Sequence, residues 1–376
     1  MSCGPKPTTA MRPTLLVLAL AFAVRLALGL WLLSAGDQAY VLASDDGDAY
    51  VISARHLAFG EPVVFDQRLS QKWQPGQDPA SRWPPAYWLF LAAQYRLFGY
   101  QHLSTIFLQA ALGAAGAVAA YQIAQRLLNK HFALAAGLLV AVSSTLAYLS
   151  AALYAEALYI PLLLLAVRLT LSNTNQAALA AGLALGLAEA TRPLAIALLP
   201  VMAWYSRHNL LPLVAGFAAA TAAFVVRDVV TLGYPALFTA GGAAALTDSL
   251  AQALSLAERL TTLFLVGGWA PIADPYLPQP LIHRLAFWLI ALGGAVCLIR
   301  SPYSGLLMAA AAAIILPALA IGLPLVRYRA PADPLFLIWF AAGIQQASTL
   351  LIHKLRVEEA STHGRIQSRA RDPVLR

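Results

Sequence analysis

Three carboxylates stand within four positions in Ser44-Asp45-Asp46-Gly47-Asp48-Ala49-Tyr50. Like charges this close raise one another's pKa unless a cation, a metal or hydrogen-bond donors intervene, which is one way to poise a general base near neutral pH. The same cluster also reads as a solvated helix cap, because acids favour the first turn of a helix. Glu156, between Tyr154 and Tyr159, is a second acid of interest, since a carboxylate at the mouth of an apolar run is costly to keep dry. Arg327 and Arg329 flank Tyr328 and could grip an anion through bidentate donors. The plain alternatives are an interfacial polar residue for Glu156 and interfacial anchors for the arginines. His56, His102 and His283 show no metal-ligand spacing, and the only two cysteines, Cys3 and Cys297, offer neither a disulfide framework nor a thiolate metal site. Site chemistry therefore rests on oxygen and nitrogen groups, and a divalent cation at the acidic cluster stays open.

The elements that must position these groups are membrane spans. Of 376 residues, 60% are hydrophobic and 11% charged, against roughly 25% charged in a soluble domain, so a water-soluble globule is excluded. The basic residues end or interrupt apolar runs and form no stripe with aromatics, which excludes a nucleic-acid partner. At about 20 apolar residues per span, fewer for short or re-entrant ones, about ten candidates emerge. They are 13–33, 102–125, 132–150, 157–172, 176–190, 193–206, 209–226, 283–299, 304–324 and 334–353. The first follows Lys6 and Arg12 and has no well-placed cleavage site, so it reads as an anchor with a cytoplasmic N-terminus. Alternating from there puts 13 of the 25 bases but only 3 of the 17 acids on the cytoplasmic side, as the positive-inside bias requires. The acids gather outside, and the face that could do chemistry looks outward.

Two outer segments, 34–101 and 227–282, are long enough to be more than turns. Within them, helices are expected at 49–59, 86–98 and 249–266. The first should lie in the interface with Tyr50, Ala54 and Leu57 on one stripe and Ser53, Arg55 and His56 off it, capped by Asp46 or Asp48. Glu189 lies three residues before Arg192, so these two are expected to pair within a short helix. Arg25 either snorkels or faces the bundle. Trp73, Trp83 and Trp88 suit an aromatic belt or a sugar platform. The chain thus divides into a transmembrane domain, 1–353, and a basic cytoplasmic tail, 354–376, expected to be disordered on the inner leaflet.

The frame Asp46-Gly47-Asp48-Ala49-Tyr50, followed by Ala54-Arg55 and Gly60, resembles the first outer loop of the protein O-mannosyltransferase and lipid A aminoarabinose transferase superfamily, which has the GT-C glycosyltransferase fold. Further motifs follow in the family's order. They are Arg82-Trp83-Pro84-Pro85-Ala86-Tyr87 with Leu97-Phe98-Gly99; Leu153-Tyr154-Ala155-Glu156; Gly186-Leu187 through Thr191-Arg192-Pro193; Val226-Arg227-Asp228; and Arg327-Tyr328-Arg329-Ala330-Pro331. The chain departs from the family where Gly47 stands in place of an acid and Asp228 in place of an Asn, so the base could be Asp45, Asp46 or Asp48.

The resemblance implies an all-α, polytopic membrane protein of GT-C type with outer interfacial helices. It implies an inverting transfer of a sugar from a polyprenyl-phosphate donor to a lipid-linked, glycan or protein acceptor, at the outer face of a bacterial inner membrane. Asp46 would be the base, with Asp45, Asp48 and Glu156 in the same site. Such a reaction needs no general acid, because the leaving phosphate is already a good leaving group; it needs a base and cations. Arg327, Arg329, Arg82 and Lys72 are the expected phosphate ligands, and Tyr50, Tyr87, Tyr328 and Arg227 the expected substrate contacts. The lipid-phosphate sugar is the donor, and a divalent cation beside the carboxylates stays open. A transporter or flippase is the rival class, disfavoured because spans 209–226 and 304–324 are nearly free of polar groups and no repeat is visible. A catalytically silent scaffold of the same fold is the third reading.

Overall fold

Backbone in hydrocarbon must satisfy its own hydrogen bonds, so apolar runs with charges at their ends become helices. The structure, a computed structural model, describes residues 7–44, 46–61, 84–232, 281–299, 301, 303–320 and 329–370, and all regular structure among them is helical. The helices are α1 (Pro7–Ser34), α2 (Asp37–Leu42), α3 (Gly47–Phe59), α4 (Pro85–Phe98), α5 (His102–Ala124), α6 (Lys130–Val142), α7 (Ser144–Ala151), α8 (Glu156–Thr170) and α9 (Asn175–Glu189). They continue as α10 (Leu199–Tyr205), α11 (Leu210–Leu232), α12 (Leu281–Leu298), α13 (Ser304–Ala320) and α14 (Asp333–Ala370).

Each expected span includes helix among its described residues, but not all are full-length crossings. Among the described residues four segments are long and apolar enough to span, Met11–Ser34, His102–Ala124, Arg207–Arg227 and Ala330–Arg356. A fifth is formed if α6 and α7, bent by 47° at Ser143, count as one. At 15 residues each, α8 and α9 are only about 22 Å long, and the expected span 193–206 is a 3₁₀ turn running into the seven-residue α10. The chain is an integral membrane protein whose bundle includes short and broken helices.

Packing runs α1 against α5 and α6, α5 against α8, α8 against α9, and α9 against α11, with α14 lying along α12 and α6. The α9–α11 contact is close because Gly182 and Gly216 face opposite backbones: a β-carbon on Gly182 would strike the Leu213 carbonyl, and one on Gly216 the Leu179 carbonyl. Arg25 faces the bundle. It is fully buried in α1 and donates to the carbonyls of Ala141 (2.9 Å), Val140 (3.4 Å) and Ala21 (3.1 Å). The first two are carbonyls that the end of α6 leaves without helical partners, so the guanidinium caps the broken span from its neighbour.

Three expectations need correction or placement. The basic tail is helical through Ala370 as the end of α14, because residues 354–370 contain no proline, one glycine and many strong helix formers. At 38 residues this helix is about 57 Å long, more than the ~30 Å hydrocarbon core. On α3 the buried stripe is Tyr50, Val51, Ser53, Ala54 and Ala58, while Leu57 is 54% exposed; α3 packs against α4, and that contact selects which residues are buried. The helix expected at 249–266 lies outside the described residues.

Candidate active site

A helix leaves its last carbonyls unpaired, and α7 ends at Ala151 just before the break that starts α8. Those carbonyls are taken one after another by side chains from elsewhere in the chain. Gln109 of α5 donates through Nε2 to Ser150 O (3.3 Å) and Ala152 O (3.1 Å), the Tyr40 hydroxyl donates to Ala151 O (2.9 Å), and the Ser44 hydroxyl to Leu153 O (2.8 Å). Tyr148 donates in return to Ala43 O at 2.6 Å. The segment after α1 is thereby bound to the α7–α8 break. Gly47 tightens the joint, since a β-carbon there would strike Val41 O, reach Ser44 Oγ at 2.6 Å and touch Leu153 Cβ at 3.3 Å.

Asp46 lies between Ser44 and Gly47 and is thus held beside Leu153, three residues before Glu156. It occupies the N-cap position of α3, yet its side chain makes no capping hydrogen bond. The carboxylate that meets a helix N–H is Asp48, whose Oδ1 accepts from Ala49 N at 2.7 Å. Asp46 is 8% exposed. The acidic cluster therefore splits its duties, with Asp48 on the backbone and Asp46 turned to other partners. Asp45 lies outside the described residues.

Glu156 is the first residue of α8 and is fully buried, with Arg192 Nη2 at 2.7 Å from its Oε1. The contact is an ion pair without hydrogen-bond geometry on either Glu156 oxygen. Arg192 reaches it from the turn after α9, and that turn is tied to the Pro84-Pro85 segment by the bond Ala86 N to Ala190 O, 2.9 Å. The expected pairing of Arg192 with Glu189 does not occur. Helical bonding still reaches Arg192, whose N–H donates to Ala188 O at 2.9 Å, but its side chain turns to Glu156, and Glu189 instead accepts the Ile196 N–H at 2.7 Å.

Tyr87 of α4 completes the inner wall. Its ring meets Tyr50 edge to face at 4.8 Å and its hydroxyl donates to Gln109 Oε1 at 2.6 Å. Burial first, then the neighbouring Tyr40, Tyr50 and Tyr95 hydroxyls and Glu156, push the Tyr87 hydroxyl well above its ordinary value, so it acts only as a neutral donor. One residue on, the Trp88 ring lies 5.2 Å below the Arg227 guanidinium, a cation–π contact that holds the end of α11 to α4. Asp46, Tyr50, Tyr87, Glu156, Arg192 and Arg227 are thus linked through one set of helix ends.

Arg329 belongs to another corner. It is fully buried, grips Asp333 one turn on (Nε to Oδ1 2.9 Å, Nη2 to Oδ2 3.4 Å) and sits over the Trp288 ring at 5.6 Å. Asp333 went unnoticed in the sequence, although its i,i+4 spacing from Arg329 was a readable signal. Lys72, Arg82, Arg327 and Tyr328 lie outside the described residues. Among the described residues no three His, Cys, Asp or Glu side chains converge as a metal site.

Residues 82–227 match the family model described as dolichyl-phosphate-mannose-protein mannosyltransferase. The matched stretch carries Tyr87, Glu156, Arg192 and Arg227, while Asp46 and Arg329 lie on either side of it. Among solved structures, the chain is similar to the oligosaccharyltransferase of Archaeoglobus fulgidus in its apo form, at 14% identity and a TM-score of 0.47. The similarity covers 92% of this chain and 52% of that one, so the chain spans about half the length of that structure. No curated protein matches it. The family match agrees with the resemblance carried by the sequence motifs.

Proposed function

We propose that this membrane glycosyltransferase of the GT-C type moves a sugar from a polyprenyl-phosphate donor to an acceptor hydroxyl, with inversion, at the non-cytoplasmic face of the membrane. The observation that carries the reading is the joint between the Asp46 loop and the Glu156 break, in which Asp46 is not spent on capping α3. In the proposed step Asp46 accepts the acceptor's hydroxyl proton as the oxygen attacks the anomeric carbon. The bond from that carbon to the phosphate oxygen breaks, and the polyprenyl phosphate leaves with the electron pair.

Glu156 is ion-paired with Arg192 and is given an orienting role, with Asp46 as the base. Arg227 from the end of α11, with Lys72, Arg82 and Arg327, receives the phosphate charge, whereas Arg329 is locked to Asp333. Tyr50 and Tyr328 are given to the substrate, whereas the Tyr87 hydroxyl is engaged with Gln109. The acceptor is a hydroxyl on a lipid-linked, glycan or protein molecule.

The test uses the full chain in lipid nanodiscs, polyprenyl-phosphate mannose as donor, and native membrane acceptors. Asp46→Asn keeps the size but removes the base, so transfer should fall by roughly 10²–10⁴-fold, the range general-base catalysis contributes. Asp48→Asn and Asp45→Asn should cost less. Near-full transfer by Asp46→Asn with loss in one of its neighbours would reassign the base, and silence of all three would end the transferase mechanism proposed here.

A further inference from the structure

The middle of α5 is apolar on nearly every side, yet it carries Gln109, whose side chain is fully buried. A primary amide kept from water is costly unless its hydrogen bonds are met. At Gln109 they are met in a directional way. The carbonyl oxygen accepts from Tyr87 at 2.6 Å, and the amide nitrogen donates twice, to Ser150 O at 3.3 Å and Ala152 O at 3.1 Å. One face must take a proton from a hydroxyl and the other must give two protons to helix-end carbonyls. Among the natural side chains, an amide with the reach of Gln does both. An ionised Glu accepts only, Met does neither, and Asn is one methylene short.

The two ends of this bridge lead to different carboxylates. Tyr87 packs edge to face on Tyr50, four residues after Asp46 on the helix that Asp46 begins. Ser150 and Ala152 bracket the end of α7, from which the chain turns directly into Glu156. We infer that Gln109 is a positioning residue: with Tyr87 it forms a strut that sets the distance between the Asp46-bearing helix α3 and the Glu156-bearing helix α8. The inference rests on the proposed transfer for its catalytic consequence, but not for the strut itself. Misplacement of reacting groups by about 1 Å costs about 10²-fold in rate, so a strut of this kind acts on turnover and leaves donor capture nearly alone.

The experiment combines kinetics with a distance measurement that needs no substrate. Spin labels are placed at Leu57→Cys on α3 and Leu165→Cys on α8, both exposed positions, with Cys3 and Cys297 replaced by Ser, and the full chain is held in nanodiscs. Gln109→Met should lower kcat for transfer from polyprenyl-phosphate mannose by about 10- to 100-fold, leave the donor KM within about twofold, and broaden or shift the interspin distance. Tyr87→Phe, which keeps the ring and loses one hydrogen bond, should lower kcat by about five- to tenfold. Because both residues belong to one bridge, the double variant should be no worse than Gln109→Met alone.

Losses that multiply in the double variant, a change confined to KM, or a kcat and a distance that stay put in both single variants would overturn the strut. If Gln109→Met does not fold, Tyr87→Phe carries the same measurements. If the unaltered chain transfers no sugar, the proposed reaction fails, and the interspin distance alone decides the strut: a distribution that stays narrow in Gln109→Met and Tyr87→Phe refutes it, and one that broadens upholds it.

Discussion

Glu156, at the start of α8, and Arg192, from the turn after α9, meet at the mouth of a break, whereas Arg329 lies four residues before Asp333, the first residue of α14, and both are sealed from solvent. Both are buried ion pairs, but their geometry differs. The Arg329–Asp333 pair is doubly hydrogen-bonded and stacked on Trp288, so it is closed on itself. The Glu156–Arg192 pair lacks hydrogen-bond geometry, and Arg192 keeps 12% of its side chain exposed. A pair made across elements and left open at one end can exchange partners when a charged ligand arrives; a pair made within one turn and closed at both ends holds a helix start in place. The first lies beside the Asp46 loop, where charge moves in the proposed reaction, and the second belongs to the frame.

If that contrast is right, the largest loss of stability comes from the closed pair. Asp333→Asn removes the carboxylate held by a fully buried guanidinium and should cost about 3–5 kcal/mol, read as a lower unfolding midpoint in detergent. A drop no greater than that of a surface substitution would place Arg329 in a wetter setting than its burial implies. Arg192→Met should cost less, about 2–3 kcal/mol, because its site opens to solvent at one side. Adding Glu156→Gln to it should recover part of the loss, since the stranded charge goes with it; a further drop instead would break the comparison.

Smaller effects test the joint itself. Gly47→Ala places a methyl group against Val41 O and Ser44 Oγ and should cost about 1–3 kcal/mol, as overpacking does. Thermal unfolding compared with Gly60→Ala, where no atom stands near but φ is +71°, separates crowding from backbone strain. Ser44→Ala removes one hydrogen bond to Leu153 O and should cost about 1 kcal/mol. Protease nicking in the loop after α2 would report any loosening, and an unchanged nicking rate in both variants would mean that the joint is held elsewhere.

Part of the candidate site was legible in the chain as written. Asp46, Glu156 and Arg227 stand in motifs whose residue types carry their chemistry, and the apolar runs named the helices on which they sit. What escaped notice has a common physical cause. Gln109 reads as one polar residue in an apolar helix, because nothing local points to Tyr87 or to the end of α7. Tyr40 and Ser44 read as loop polar residues, because the carbonyls they serve lie more than a hundred positions away. Helical spacing points Arg192 to Glu189, but its side chain reaches the buried Glu156, 36 positions earlier in the chain. Asp333 is the exception, a local partner that the spacing did offer.

Composition alone determined that this chain lives in a membrane and that it is helical. Those properties follow from the cost of leaving backbone or charge unpaired in hydrocarbon, a cost each segment bears by itself. Tertiary structure decided which helices are broken, which carboxylate caps and which does not, and which cation meets Glu156. These outcomes depend on helix ends. The groups a helix cannot satisfy within itself are matched by whatever side chain the bundle brings near, and that choice is made by packing between segments far apart in the sequence.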